Sequence, residues 1–185
     1  MQNKLDQAIE FAVKKHSGTT RKGGVKPYIV HPLEALTIAS TMTNDVDVLS
    51  AAVLHDTVED TATTISDIKE LFGDNIARLV VSDTENKRES LPATDTWEIR
   101  KTETLNLLEK ANKNEQIIAL SDKLSNLRAI YRDYNTIGEK LWERFNVKDK
   151  QKQAWYYRGI AKRLKDLTDT FAYKEYVELL EKVFG

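Results

Sequence analysis

Cysteine is absent from all 185 residues, which excludes disulfides, thiolate zinc sites and cysteine nucleophiles. Any metal the chain holds must therefore sit on His, Asp or Glu. Glycine and proline are scarce, at seven and three residues, well below the ~12% that they make up together in typical proteins. Sheet-rich folds use both residue types in their turns, so the scarcity favours helices. No run approaches the ~18 apolar residues of a membrane span, and the polar start Met1-Gln2-Asn3-Lys4 lacks a signal peptide's apolar core. A formal net charge of −1 gives nucleic acid no whole-molecule attraction. What remains, at 41% hydrophobic and 31% charged, is the composition of a folded globular protein. The expectation is one domain over residues 1–185, cytoplasmic, with no membrane or nucleic-acid partner.

The apolar spacing predicts an all-α fold. Leu5, Ala8, Ile9, Ala12 and Val13 recur at helical steps and end near His16. Residues 17–28 hold Gly18, Gly23, Gly24 and Pro27 and read as an irregular loop, with one small β-hairpin allowed near residues 21–31. Pro32 suits the first turn of a helix running to about Met42. Asp45 can cap the next helix, whose stripe Val46, Leu49, Ala52 and Val53 leads into His55. Thr64 caps a short helix that Gly73 stops. The polar segment 83–95, with Pro92 inside it, reads as a mobile loop. Further helices are predicted over 96–112, 114–132, 137–145, 148–168 and 172–184.

Charge is distributed unevenly. Residues 43–74 carry eight acids and one base, whereas residues 148–165 carry seven bases and one acid. Two solvated helix faces would account for this. An acidic, metal-attracting centre facing a phosphate-attracting rim would account for it equally.

The chemistry-bearing residues cluster. All three histidines lie in the first 55 residues, with His31 before Pro32 and His55 before Asp56 in Ala51-Ala52-Val53-Leu54-His55-Asp56-Thr57-Val58-Glu59-Asp60-Thr61. A lone helical histidine is usually a satisfied core or surface residue. Here, however, a buried stripe delivers His55, Asp56, Glu59 and Asp60 within six positions, costly near a core unless a cation pairs with them. A second acid in apolar company is Asp122, on one helix face with Asn126. Alone it would be a surface partner of Lys123 or Arg128. Beside His31 and His55-Asp56, it favours a divalent metal site.

The ordered set His…His-Asp…Asp resembles the HD-domain metal phosphohydrolases, and more narrowly the hydrolase domain of RelA/SpoT homologues. Four segments carry the narrower resemblance. They are His16-Ser17-Gly18 with Arg21-Lys22 and Pro27-Tyr28-Ile29-Val30-His31-Pro32, then Ala51 to Thr61, then Leu120 to Arg128, and more weakly Trp155-Tyr156-Tyr157. The loop from Arg21 to Pro27 is one residue longer than the family's common form. No synthetase or regulatory segment follows, so the chain resembles the stand-alone small alarmone hydrolases, metazoan SpoT homologues among them.

The resemblance implies a single HD-type helical domain that removes the 3′-pyrophosphate from ppGpp and pppGpp, a small nucleotide substrate. It implies one metal ion, Mn²⁺, on His31, His55, Asp56 and Asp122, with Glu59 and Asp60 orienting or deprotonating the attacking water. Acids at the end of the helix carrying His55 would oppose its macrodipole, a conflict that suits a functional role. Arg21 and Lys22 match positions that pack on the guanine base, and Asn126 one that contacts sugar or phosphate. Arg100 and Lys101 are candidates for meeting the pyrophosphate, and His16 for supporting the site without ligating. Rival readings keep the site but change the substrate to NADPH or an adenosine alarmone, or make the chain a non-catalytic alarmone-binding module. An RNA-binding reading of residues 148–165 is weaker, because Trp155 at helical spacing from Ile160 and Leu164 is expected in the core.

Overall fold

The computed structural model describes residues 3–21, 24–88 and 90–185. Among the described residues ten α-helices follow one another: α1 Lys4–Lys15, α2 Val30–Ala39, α3 Val46–Leu54, α4 Thr57–Asp60, α5 Ile65–Phe72, α6 Asp74–Asp83, α7 Ala93–Leu108, α8 Lys113–Ile137, α9 Lys150–Ala161 and α10 Phe171–Phe184. Two 3₁₀ segments, Gly138–Arg144 and Lys165–Leu167, join the last three. None of these helices is long and apolar enough to cross a membrane.

Two helices organise the rest. Every residue of α3 from Val48 to Leu54 is buried, the signature of a helix apolar all round. It packs against α1, α2, α6 and α8. The 25-residue α8 carries the longest buried stripe, Gln116 to Ser125 with Leu127 and Ile130, and contacts α2, α3, α6, α7 and α10. Local chemistry fixes where these helices start. Asp45 accepts from Asp47 N at the head of α3, and Asn112 forms a capping box with Glu115 at the head of α8. Thr64 and Asp67 do the same for α5.

The predicted hairpin reduces to a single antiparallel bridge, Thr20 with Pro27, flanked by Arg21 N–H to Lys26 O and Tyr28 N–H to Thr19 O, both at 2.9 Å. Pro27 has no N–H to extend a ladder. Tyr28 and Ile29 turn directly into α2, so no strand forms among the described residues. The predicted helix over 148–168 stops at Ala161, and that over 137–145 is 3₁₀ rather than α. Trp155 is 44% exposed, tilted against buried Trp97 at a 6.2 Å centroid distance, and so is not core. Four of the seven bases of 148–165 pair with surface acids, Lys150 with Glu139, Lys152 with Glu98, Arg163 and Lys165 with Glu109, as on a solvated face.

Gly73 ends α5 and opens α6 at φ 92° and ψ 170°. A Cβ there would meet nothing within 4 Å, so only the backbone demands glycine. Gly73→Ala is expected to cost about 1–3 kcal/mol of stability, the strain of holding an alanine in a glycine-only region. Urea unfolding would measure it, with metal binding unchanged.

Candidate metal centre and adjoining cleft

Three parts of the fold deliver the cluster. His31 lies in the first turn of α2, His55 caps the C-terminus of α3, Asp56 caps the N-terminus of α4, and Asp122 lies midway along α8. His31 Nε2 is 3.2 Å from His55 Nε2, 3.3 Å from Asp56 Oδ2 and 3.0 Å from Asp122 Oδ1. His55 Nε2 is 3.1 Å from Asp56 Oδ2 and 3.5 Å from Asp122 Oδ1. Donors bound at ~2.1 Å around one ion lie ~3.0 Å apart in octahedral and ~3.4 Å apart in tetrahedral geometry. The observed edges fall on that range.

The hydrogen bonds behind the imidazoles decide the tautomers. Ser125 gives its single hydroxyl hydrogen to Glu34 Oε2 at 2.8 Å, so it accepts from His31 Nδ1, also at 2.8 Å. The Ala52 carbonyl accepts from His55 Nδ1 at 2.8 Å. With both Nδ1 atoms donating, both Nε2 atoms face one another and the two carboxylates, where a cation can take the place of a proton. The donor set of two imidazoles and two carboxylates therefore fits a divalent metal. Burial pulls His55 down, but Asp56 and Asp122 outweigh it and hold its pKa well above the ordinary value.

Each ligand has a partner outside the cluster. The Glu34 behind Ser125 also accepts from Arg128, whose guanidinium grips Glu175 at 2.6 and 2.7 Å, so His31 is tied through four residues to α10. Asp122 accepts from Asn126 Nδ2 at 2.6 Å and contacts the buried Lys123 ammonium, itself 3.7 Å from Asp83. Burial would raise the Asp122 carboxyl, and Lys123 with the two imidazoles keeps it well below its usual range. Burial pushes Asp83 up to about 6.

Glu59 and Asp60 do not extend the helix that carries His55. They form a separate one-turn helix, α4, in which first and last turns coincide, so the macrodipole conflict expected from sequence does not arise. Both are tied from the segment after α6. Glu85 N–H donates to Glu59 Oε2 at 3.2 Å, and Lys87 Nζ donates to the Glu59 carbonyl at 2.7 Å and to Asp60 Oδ1 at 2.6 Å. The predicted mobile loop is thus a segment bonded across the site. Burial, then the nearby Asp56 carboxylate, pushes Glu59 up to about 7.

The cluster floors a polar cavity of about 240 Å³, which shares Arg21, Tyr28, Asp60, Asn126 and Tyr157 with a cleft of about 800 Å³. Arg21 donates to Asn126 Oδ1 at 2.5 Å at this junction. Lys101 and Arg100 reach the polar cavity but are engaged by Glu85, at 2.5 and 2.7 Å. His16 is buried in the cleft wall, stacked on Tyr28 at 4.9 Å, away from the donors. Lys22 lies outside the described residues. Sequence reasoning missed Tyr28, Lys123, Glu85 and Lys87 as site residues. Only Tyr28 and Lys123 adjoin motif residues, and no spacing marks the other two.

A family model described as an HD domain matches residues 8–146. The chain belongs to the HD-domain family. The guanosine-3′,5′-bis(diphosphate) 3′-pyrophosphohydrolase MESH1 of Danio rerio is 32% identical over 97% of this chain and 92% of its own length. The pyrophosphohydrolase of Aquifex aeolicus is 35% identical over 69% of this chain, a match that spans only 18% of that longer protein. A solved metazoan orthologue of SpoT, described as hydrolysing ppGpp, superposes with a TM-score of 0.79 at 25% identity, covering 98% of this chain and 96% of that one.

The Ser125 hydroxyl fixes the His31 tautomer. Ser125→Ala is expected to weaken divalent-metal binding about 10- to 100-fold, the usual loss when a ligand's outer partner is removed. Calorimetric titration with Mn²⁺, beside a thermal melt showing an intact fold, checks this.

Proposed function

We infer that the chain is a cytoplasmic, Mn²⁺-dependent pyrophosphohydrolase that converts ppGpp and pppGpp to GDP and GTP with release of pyrophosphate. The observation that carries this reading is that His31, Asp56 and Asp122, with His55 against them, line a polar cavity sharing five residues with a cleft of nucleotide size. The similarity to pyrophosphohydrolases over nearly the whole chain supports the substrate class.

His31, His55, Asp56 and Asp122 would hold the ion. When bound, it supplies a Lewis acid for the phosphate and lowers the pKa of a coordinated water. The protein's own groups do the rest. Glu59 keeps Oε1 free of any hydrogen bond shorter than its 3.7 Å contact with Lys87, and with a carboxyl near 7 it is matched to take a proton from water at neutral pH. Asp60 orients that water. Arg21 and Asn126, at the junction of cavity and cleft, hold the sugar and base, with the Arg21 guanidinium as a stacking plane. Lys22 belongs with them by its place in the motif. Lys101, with Arg100, meets the pyrophosphate by exchanging Glu85 for a phosphate oxygen.

Incubation of the protein with ppGpp, with Mn²⁺ or with chelator, tests the reading. Pyrophosphate should appear only with metal, and Asp56→Ala should abolish it. Glu59→Gln should lower kcat about 10²- to 10⁴-fold with KM little changed, as for loss of a general base. Phosphate release from NADPH in place of pyrophosphate release from ppGpp would keep the site and overturn the substrate.

A further inference from the structure

Asp60 is held in place by very little of its own helix. The helix α4 is a single turn, closed by one backbone bond from Asp60 N–H to Asp56 O at 2.9 Å, and an isolated turn has no stability of its own. The carboxylate position must be set from outside. One oxygen, Oδ1, takes the Lys87 ammonium. The other, Oδ2, accepts from the Tyr28 hydroxyl at 2.5 Å, and the same hydroxyl lies 2.7 Å from Asp56 Oδ2.

We propose that Tyr28 is a positioning residue whose hydroxyl, shared between Asp56 and Asp60, holds the Asp60 carboxylate beside the metal-binding cluster. With one hydrogen and two acceptors, the hydroxyl donates to either carboxylate in turn and keeps both oxygens gathered about one point. Without it, two like charges at this separation repel, and Asp60 is free to swing toward Lys87 and solvent. The ring is itself firmly placed. It stacks on His16 at 4.9 Å with planes 24° apart, carries the Arg21 guanidinium 5.4 Å over its centroid, and meets the His31 ring edge-on at 6.1 Å. Its backbone N–H is bonded to Thr19 O, and its carbonyl accepts from His31 N–H at 3.0 Å. The hydroxyl therefore stands ready before any substrate arrives, which is what a preorganised site requires. The side chain also forms part of the wall between the polar cavity and the cleft, so it fixes Asp60 relative to both.

The contact itself does not depend on the substrate; its use in turnover rests on the pyrophosphohydrolase reading. The experiment has two arms, both built on Tyr28→Phe, Asp60→Asn and the double variant. In urea unfolding of the full chain, the folding equilibrium constants should be non-additive by about fivefold or more, as expected for a hydrogen bond to a charged group. Additive effects would overturn the shared hydroxyl whatever the substrate. With ppGpp and Mn²⁺, Tyr28→Phe should lower kcat about 10- to 100-fold with KM within about twofold and Mn²⁺ stoichiometry unchanged. The double variant should be no slower than Asp60→Asn alone. Unchanged kcat in Tyr28→Phe, or losses that multiply in the double variant, would overturn the role of Tyr28 in positioning Asp60. A wild type silent on ppGpp, with coupling retained in urea, would count against the substrate alone.

Discussion

Two imidazole nitrogens 3.2 Å apart, buried between two carboxylates, require positive charge among them, a proton or a metal cation. The rest of the molecule is organised around making that arrangement persist. An isolated charge cluster in an apolar interior would relax by rotating its side chains outward. Here each ligand is prevented from doing so by a further bond of its own. Ser125 holds His31, the Ala52 carbonyl holds His55, Tyr28 holds Asp56, and Asn126 with Lys123 holds Asp122. Those partners come from α3 and α8 and from the loop before α2. The packing of α3 against α2 and α8 is thus what keeps the site assembled, and the apolar stripes of these helices supply the energy that offsets burial of the charges.

Charge balance explains why a divalent ion and an anionic substrate belong together. Six acidic and four basic side chains line the polar cavity, a deficit of two positive charges. A polyanion entering that cavity alone would be repelled. A divalent cation in the donor cluster would restore neutrality, while Arg100 and Lys101 are already matched by Glu85. The cleft beyond is less demanding. Arg21, Lys26, Arg132 and Arg144 ring it against Asp60 and Asp133, a basic surplus suited to the remaining negative charge of a nucleotide.

The helices and the ligand cluster were readable from the sequence because both are local patterns. Apolar periodicity is written in consecutive residues, and His55-Asp56 with Glu59-Asp60 lies within six positions. Asp122 was readable only in company, since alone it reads as a surface partner of Lys123 or Arg128 and it takes His31 and His55-Asp56 to favour a metal. What could not be read were pairings between distant segments. Nothing in the composition of residues 84–92 says that Glu85 will collect Arg100 and Lys101, or that Lys87 will cross to Asp60, so the segment looked like a free loop. Trp155 failed for the opposite reason. Steps of five and nine residues put Ile160 and Leu164 on the opposite side of a helix from Trp155, and α9 accordingly buries Ile160 while leaving Trp155 partly in solvent beside Trp97. The hairpin failed at Pro27, whose missing N–H allows a bridge and no more.

The geometry of α8 adds a constraint that neither cavity shows alone. Asp122 lies at the metal cluster, Asn126 at the junction, Ala129 and Ile130 along the cleft, and Asp133 at its far wall. These positions follow one helical face at steps of three and four residues. At ~1.5 Å rise per residue, the eleven residues from Asp122 to Asp133 span ~16 Å. One rigid element therefore fixes the separation between the donor cluster and the cleft residues Ala129, Ile130 and Asp133. Its own position is locked at the head by the Asn112 and Glu115 capping box and across its middle by Arg128 on Glu34 and Glu175. A site whose chemistry depends on holding water, phosphate and base in register gains from placing all three along a single helix. The loop residues around Tyr28 and Lys87 need then adjust only the carboxylates that face it.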